Sequence, residues 1–391
     1  RHAICREQTP HTKGGDLRVV FLLPIVAHAR HNKRISALEA LGIDPTVLAF
    51  ERTSYSGKPL PSGYTSLGRI EHRHYYRRIF PLLKAVPVVR AAAKGADALY
   101  VFGVDNLLLA RLATSTLRTP PKIVCEIGDI FEIQIGAGFA SRSLRWLERS
   151  LLKRTHLLVV TSNAFVTGYY AGILGCTDLN YQVIENKVDK STIPPEANSA
   201  LTPRSDGVLH IGYFGILRCQ RSWKVLRECA VQGNGRVQIH LRGLPRGLDD
   251  FESTIQETPN ISYGGPYVSP DDLPNMYQQV DLAWIATYIS KTHSMWARTN
   301  RFYEASYFRR PMIAQAGTQD GLLVEQKGVG VCVDVRDVDA SVARVLSLEQ
   351  AKVTEWQKNV ATLPERVSCY TDEHEKLVEQ ILNAKPSTRR Q

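Results

Sequence analysis

The chain has 391 residues, of which 43% are hydrophobic and 22% are charged, which is the balance of a soluble globular protein. This length exceeds one ordinary core and predicts two domains. The seven cysteines form no C-x-x-C pair, which argues against a zinc site or a disulfide framework and favours a reducing compartment. The longest apolar run, residues 19–27, is too short for a membrane span, and no secretory signal pattern is present, so we expect a cytoplasmic protein.

The excess positive charge lies entirely in the first half of the chain. Residues 1–195 carry 26 Lys and Arg against 15 Asp and Glu, whereas residues 196–391 carry 23 against 23. This asymmetry indicates that the first half meets something anionic, such as a membrane surface, a lipid diphosphate or nucleic acid. Ordinary solvated surface charge is the alternative interpretation.

The first half alternates strand-like and helix-like segments. The predicted strands are residues 17–23, 46–50, 96–103, 122–128, 156–162 and 181–185. The predicted helices are residues 32–42, 106–117 and 141–154. Unalternating β-branched runs separated by helices indicate a parallel sheet that is covered on both faces.

The pattern restarts after a segment rich in Pro, Ser, Ala and Asn. We predict domains at 1–190 and 208–369, a linker at 191–207, and a C-terminal helix within 370–391 that packs back on the first domain. The fold class is therefore α/β, with two doubly wound, Rossmann-like domains facing each other across a cleft. Such sheets bind ligands at the carboxyl ends of their strands.

Two constellations in the second half are suited to binding a nucleotide diphosphate. A strand ends in a glycine and a basic loop, which lets phosphate approach the backbone beside cations: Gly215, Arg218, Arg221 and Lys224. A later helix begins at Thr299 or Asn300, either of which is a good N-cap, and carries Arg301 and Glu304. Its N-terminus offers N–H groups to an anion, and Glu304, one turn along, offers an acceptor for sugar hydroxyls.

Taken in order, these segments resemble the GT-B glycosyltransferases, especially the family-4-like, nucleotide-sugar-dependent enzymes of bacterial polysaccharide synthesis. In the second half the matching positions are Gly265, Leu273, Tyr277, Asp281, Asn300, Glu304, Ala305, Pro311 and Ile313. In the first half the similar segments are residues 123–132, 147–162 and 183–189. The resemblance therefore covers most of the chain, although each motif alone is loose.

The sequence departs from the family pattern at three places. The family has paired glutamates eight residues apart, and Trp296 stands in place of the first. The glycine pair that usually follows the first strand is missing from residues 24–34, and Lys187 replaces another family glycine. Four residues of the first domain are candidates to replace those backbone donors or to contact the acceptor: His28, Arg30, Lys33 and Arg34.

The resemblance implies donor binding in the second domain and acceptor binding in the first. Glu304 would bind the ribose of a UDP- or GDP-linked sugar, and the cations would stabilise the leaving diphosphate. It also implies that the enzyme needs neither a metal ion nor another cofactor. An inverting enzyme would need a general base, for which Asp105 and Asp129 are candidates because each follows a first-domain strand. A retaining enzyme would need none.

A basic, aromatic, amphipathic stretch at residues 73–95 predicts contact with an anionic membrane. Its candidate membrane residues are Arg73, Arg77, Arg78 and Lys84. A core-facing helix pair with a solvated basic face is the alternative, and nucleic acid is not expected because no known motif accompanies the charge.

We therefore expect a peripheral enzyme on the cytoplasmic face of the inner membrane that transfers sugar to a glycan or lipid-linked acceptor. The alternatives are a nucleotide-sugar epimerase of the same fold and a catalytically degenerate sugar-nucleotide-binding protein.

Overall fold

The computed structural model of this chain describes residues 17–26, 28–51, 63–70, 78–194, 207–289 and 295–383. They form two parallel sheets. The seven-stranded N-terminal sheet has the order β3-β2-β1-β4-β5-β6-β7, and the six-stranded C-terminal sheet has the order β10-β9-β8-β11-β12-β13. The α/β fold class predicted from the sequence, with two Rossmann-like domains, is confirmed.

The strands are short and mostly apolar, and each pairs in parallel with its neighbours. In the N-terminal sheet they are β1 Leu17–Leu23, β2 Ile43–Glu51, β3 Thr65–Arg69, β4 Ala98–Phe102, β5 Lys122–Ile127, β6 Leu157–Val160 and β7 Tyr181–Val183. In the C-terminal sheet they are β8 Leu209–Leu217, β9 Val237–Pro245, β10 Ile261–Tyr263, β11 Leu282–Trp284, β12 Met312–Gln315 and β13 Gly330–Val333.

The helices follow the strands and cover both faces of each sheet. They are α1 Ala29–Glu39, α2 Ile79–Ala93, α3 Val104–Thr114, α4 Glu132–Ile135, α5 Phe139–Leu152, α6 Gln220–Gln232, α7 Phe251–Glu257, α8 Leu273–Gln278, α9 Asn300–Tyr307, α10 Gln319–Lys327, α11 Val338–Leu346, α12 Gln350–Ala361 and α13 Glu373–Asn383. A π-helix spans Phe165–Ala171, and 3₁₀ turns span Lys190–Thr192 and Glu365–Val367.

Helices α2, α3 and α5 and the π-helix pack on one face of the N-terminal sheet, where their apolar side chains share one core cluster with the strands. Helices α1 and α13 pack on the other face, where Leu377 and Ile381 of α13 lie in the core beside β1 and β4. Lys122 Nζ ties α13 down by donating to the carbonyl of Ile381 at 2.8 Å. The C-terminal helix therefore lies on the N-terminal domain.

The topology fixes where a ligand can bind. The strand order reverses between β1 and β4 in the first sheet and between β8 and β11 in the second. A crevice is expected at the carboxyl end of each switch point, and the segments that follow those strands carry most of the candidate site residues.

The elements differ from the sequence-based expectation in a few places. The sequence did not predict β3, because this edge strand buries only Leu67 and so has no apolar run. Most of the predicted linker, residues 195–206, lies outside the described residues. Among the described residues, no helix is both long and apolar enough to cross a membrane.

Candidate active site

The N-terminus of α9 is fixed by the N-cap residue Thr299 and by the hydrogen bonds of Thr299 to Asp320. Of the two N-cap residues that the sequence allowed, the structure uses Thr299, whose hydroxyl accepts a hydrogen bond from the Phe302 amide. The amide and the hydroxyl of Thr299 both donate to Asp320 Oδ2, at 3.0 and 2.8 Å. Burial raises the pKa of Asp320 to about 6, although the Thr299 hydrogen bonds oppose that rise. Asn300, the first helical residue, is exposed.

Glu304 lies one turn into α9 and is only 8% exposed. Tyr277 Oη donates to Glu304 Oε2 at 3.1 Å, and Tyr277 is itself fixed by stacking on Phe308 at 5.0 Å between ring centroids. Burial raises the pKa of Glu304, while the charges of Lys33 and Arg301 and the Tyr277 hydrogen bond oppose the rise. Glu304 is thus a partly desolvated carboxylate in a fixed orientation.

Arg301 places an unsatisfied donor beside this carboxylate. Its guanidinium carbon lies 4.8 Å from the centre of the Tyr213 ring, so the side chain is stacked rather than extended into solvent. Its Nη1 atom is buried and has no hydrogen-bond partner within the described ranges. A buried cationic donor without an acceptor is costly, and an anionic ligand would satisfy it.

Two glycines open the backbone at the ends of β8 and β9. Gly215 has a φ of +105° and Gly243 a φ of +126°, which only glycine adopts readily. A Cβ atom on Gly243 would lie 1.8 Å from the carbonyl oxygen of Gly215, so the two strand ends need glycine to approach each other. Gly215 is partly exposed, so it leaves backbone without a side chain near the carboxyl end of β8, one of the two strands at the switch point.

The three predicted phosphate cations occupy different environments. Arg218 is exposed directly after β8, and Lys224 is exposed in the second turn of α6. Arg221 lies over the Tyr288 ring at 5.3 Å, and Arg336 lies over the same ring at 5.1 Å. Arg221 therefore packs on an aromatic ring, which was not predicted from the sequence.

In the N-terminal domain the basic segment after β1 meets a buried carboxylate, Glu126 on β5. Arg34 is 2% exposed and donates from Nε to Glu126 Oε2 at 3.0 Å, and Tyr100 Oη donates to the same oxygen at 2.6 Å. The prediction of Arg34 as an acceptor or phosphate contact is therefore corrected: it forms a core ion pair. Burial alone would raise the pKa of Glu126, but the charges of Arg34 and Arg30 together lower it.

Arg30 lies between this buried network and the cleft. Its Nε is 3.7 Å from Glu126 Oε1, and its guanidinium lies against Gly128. A Cβ atom on Gly128 would be 1.7 Å from Arg30 Nη1, so only glycine leaves room for the cation at the end of β5. The arrangement presents Arg30 at the carboxyl edge of the sheet.

His28 and Lys33 lie on either side of Arg30 in the sequence, His28 just before α1 and Lys33 within it. His28 is the residue that precedes α1, and its ring stacks on His31 with 4.4 Å between ring centroids. Lys33 is exposed, and its charge acts on Glu304 of the other domain. Lys33 therefore faces the candidate donor site across the cleft.

The two candidate bases differ in their surroundings. Asp105 lies in the first turn of α3, and Arg78 Nη1 donates to its Oδ2 at 2.9 Å. That ion pair favours a structural role for Asp105 at the α2–α3 contact. Asp129 is exposed two residues after β5 ends, next to Gly128.

The predicted membrane residues are only partly described. Arg73 and Arg77 lie outside the described residues. The Arg78 side chain is largely buried in its ion pair with Asp105, so the prediction of Arg78 as a lipid contact is corrected. Lys84 is exposed on α2.

Trp296 joins the two domains at one side of the cleft. Its indole packs against the N-terminal domain, 6.3 Å from the Tyr169 ring between centroids. A Cβ atom on Gly168 would lie 2.6 Å from Trp296 Nε1, so the glycine makes room for the indole. Nearby, Arg298 Nη1 lies 3.3 Å from Oε1 of Glu185, so an ion pair also joins the C-terminal domain to the N-terminal domain. The position where the related family has its first glutamate thus provides a contact between domains.

We expect Trp296→Ala and Gly168→Ala to loosen the two domains, because one removes the indole and the other displaces it. Each should cost about 1–3 kcal/mol of unfolding free energy and enlarge the radius of gyration in small-angle scattering. Trp146→Ala, which removes the same side chain from an exposed site, is the control. Wild-type scattering and melting in both test variants would contradict this role.

Three site features were not identified from the sequence. They are the buried Glu126, the Asp320 cap and the hydrogen-bonded Glu148, which binds Tyr169 Oη at 2.5 Å and Gln134 Nε2 at 3.0 Å. A lone carboxylate inside an apolar strand, as in residues 122–127, was a usable signal for Glu126, because such a group needs a buried partner. Nothing local identifies the partners of Asp320 or Glu148.

Comparison with known proteins defines the class. Residues 29–186 match the glycosyl transferase 4-like domain family, and the two described domains have the fold of the GT-B glycosyltransferases. The resemblance to family-4-like GT-B glycosyltransferases stated from the sequence is confirmed.

Particular relatives extend over most of the chain. The succinoglycan biosynthesis protein ExoL of Rhizobium meliloti (strain 1021) is 29% identical over 344 residues, which is 84% of each chain. A sucrose-phosphate synthase from Thermosynechococcus elongatus superposes with a TM-score of 0.68 at 15% identity, covering 94% of this chain and 100% of that one. Anabaena HepE in complex with UDP gives 0.69 at 13% identity, covering 93% and 99%. The two solved structures support the fold alone.

Proposed function

We propose that this protein transfers a sugar from a nucleotide diphosphate donor to a glycan or lipid-linked acceptor in polysaccharide synthesis. The observation that carries the proposal is the pairing of Glu304 with Arg301 at the start of α9. Tyr277 fixes Glu304, and Arg301 offers a buried donor without an acceptor. A carboxylate for ribose hydroxyls and a cation for phosphate thus lie about one turn apart, and the cation lies over Tyr213, two residues before Gly215.

The donor would lie along the carboxyl edge of the C-terminal sheet. Tyr277 occupies Oε2 of Glu304, so Oε1 is the oxygen proposed to accept from the ribose. The diphosphate would meet the N–H groups at the start of α9, the backbone at Gly215 and the charge of Arg301. Arg218 and Lys224 would neutralise the charge that develops on the leaving phosphate. In this proposal protein cations do the work that a metal ion does in other transferases.

The acceptor would enter from the N-terminal domain, where Arg30 and Lys33 line the opposite edge. The acceptor oxygen bonds to the anomeric carbon as the bond from that carbon to the diphosphate oxygen breaks. In an inverting reaction Asp129 would take the acceptor proton. In a retaining reaction the proton would pass to the leaving diphosphate. We propose that Asp129 is the base if one is used, because it is exposed at the carboxyl end of β5, next to Gly128 and the Arg30 guanidinium.

The relatives suggest which substrates to test first. The similar HepE was solved with UDP and with UDP-glucose, and ExoL is a protein of succinoglycan synthesis. UDP-sugars with membrane-extracted polysaccharide intermediates are therefore the first combination. We further propose that the reaction takes place at the cytoplasmic face of the inner membrane, which fits the positive charge of residues 1–195.

The test has two arms. Calorimetry should detect binding of UDP or GDP, and incubation of the matching nucleotide sugar with acceptor extract should release nucleotide and label the acceptor. The rate should be unchanged by EDTA. Binding without acceptor-dependent turnover would favour the degenerate binding protein, epimerised nucleotide sugar would favour the epimerase, and no nucleotide binding would refute all three.

A further inference from the structure

The three most exposed large apolar side chains of the described residues lie on helices of the N-terminal domain. Phe139 is 81% exposed, and Trp146 and Phe80 are each 74% exposed. Phe139 and Trp146 belong to α5, and Phe80 belongs to α2. Large aromatic rings held in water at this level indicate a surface that is covered by something else.

On α5 the exposed residues form a single stripe. Phe139, Trp146 and Lys153 are seven residues apart, and the intervening steps of three or four place two further cations, Arg142 and Arg149, on the same side. The other side is buried against the sheet. The one acidic residue of α5, Glu148, is fully buried, where it accepts from Tyr169 and Gln134. The exposed stripe therefore carries aromatic rings and positive charge only.

A similar stripe runs along α2. Phe80, Leu83, Lys84 and Val88 are exposed, and the opposite side packs into the domain core. No acidic residue occurs between positions 79 and 93. This second stripe is apolar with a cation, like the first.

Both stripes point away from the same face of the N-terminal sheet. The inner side chains of α2 and α5 belong to one core cluster, together with those of α3, while α1 and α13 cover the opposite face. The two helices therefore present their exposed sides on one side of the domain. Aromatic rings flanked by Arg and Lys without acidic residues are characteristic of helices that lie in a lipid interface.

We propose that this α2–α5 surface, defined by Phe80, Leu83, Lys84, Phe139, Arg142, Trp146, Arg149 and Lys153, docks on an anionic lipid bilayer. The aromatic side chains enter the headgroup region, and the cations contact lipid phosphates. The inference deepens the proposed function, because it assigns the membrane side of the transferase to described residues. This surface does not include Arg78, because Arg78 forms an ion pair with Asp105.

The test uses the full chain with vesicles of phosphatidylglycerol and phosphatidylcholine, and with vesicles of phosphatidylcholine alone. We expect wild-type protein to sediment with the first kind only. Arg142→Glu with Arg149→Glu should raise the lipid concentration needed for half-binding at least tenfold at low salt. Phe139→Ser with Trp146→Ser should abolish the binding that persists at high salt, because screening removes only the charge contribution. Arg236→Glu with Arg344→Glu makes the same charge change at exposed sites of the C-terminal domain and should bind like wild type.

The fluorescence of Trp146 gives a second measurement of membrane docking, because the emission of tryptophan depends on its environment. Anionic vesicles should shift the tryptophan emission of wild-type protein to the blue, and Trp146→Phe should keep binding while losing most of that shift. Equal sedimentation of all variants, or equal binding to both vesicle types, would overturn the proposal. It would also be overturned if wild type ignored vesicles and formed dimers that Phe139→Ser with Trp146→Ser dissolved, since the surface would then join two copies of this chain.

These outcomes are separable from the proposed transferase activity. UDP affinity by calorimetry should be the same in the membrane-surface variants as in wild type, because none of those residues lies in the cleft. Vesicle binding by a protein that binds no nucleotide would refute the proposed function and leave the membrane surface standing. Nucleotide binding without vesicle binding would do the reverse.

Discussion

Glu304→Ala is expected to weaken UDP binding about 10- to 100-fold, or roughly 1.4–2.8 kcal/mol, the range for a lost hydrogen bond to a charged group. The loss should be this large because Tyr277 fixes the carboxylate in the apo protein, so that no side-chain ordering is needed on binding. Glu304→Gln, which keeps the size and one acceptor oxygen, should lose less. Calorimetry with UDP measures both.

The ribose contact can be separated from a general effect on the site. A nucleotide lacking both ribose hydroxyls should bind wild type and Glu304→Ala about equally, because the group that Glu304 would accept from is gone. Glu325→Ala, which removes an exposed glutamate from the neighbouring helix α10, should leave UDP affinity unchanged. An equal loss for both nucleotides would assign Glu304 to the structure of α9 instead, and thermal melting would then show the destabilisation.

Much of the fold was predictable because burial on both faces makes parallel strands continuous apolar runs. Residues 17–23 and 122–127 stand out for this reason. The N-terminus of α9 was also predictable, since a capping threonine acts on an amide only three residues away. The edge strand β3 was not, because it buries a single side chain. The features that could be predicted were thus those that neighbouring residues in the sequence determine.

The partners of the basic residues could not be predicted from the sequence. Lys33 and Arg34 are consecutive cations of α1. Lys33 is exposed and faces Glu304, whereas Arg34 is buried in an ion pair. The partner of Arg34 is 92 residues away, and the partner of Arg78 is 27 residues away. A cation's role depends on which carboxylate the fold brings to it, and spacing along one segment contains no information about that.

Trp296 is a second residue whose contacts could not be predicted from the local sequence. The sequence showed that Trp296 stands where the family has a glutamate, and the structure adds a contact between domains that no local pattern encodes. The indole fits because residue 168 of the other domain lacks a side chain. A glycine inside a helix-like segment is more often read as a tolerated weakness than as space for a distant ring.

Arg218→Ala and Lys224→Ala are each expected to lower kcat about 10- to 1000-fold while changing the donor KM much less. The diphosphate gains charge as its bond to the sugar breaks, so a cation placed beside it stabilises the transition state more than the bound donor. Both side chains are exposed, Arg218 directly after β8 and Lys224 on α6, so we expect both to reach a phosphate bound at the carboxyl end of β8. Initial rates across donor concentrations, with acceptor held saturating, give kcat and KM separately.

Arg227→Ala is the matched control for this pair, since it removes a cation from the same helix, three residues beyond Lys224, where it pairs with Glu228. It should leave both constants near the wild-type values. A raised KM with unchanged kcat in the Arg218 and Lys224 variants would mean that the cations bind donor and transition state equally, and so add affinity without catalysis. Normal constants in both would place the basic loop in solvent, and Arg301 with the N-terminus of α9 would be left to carry the charge of the leaving group.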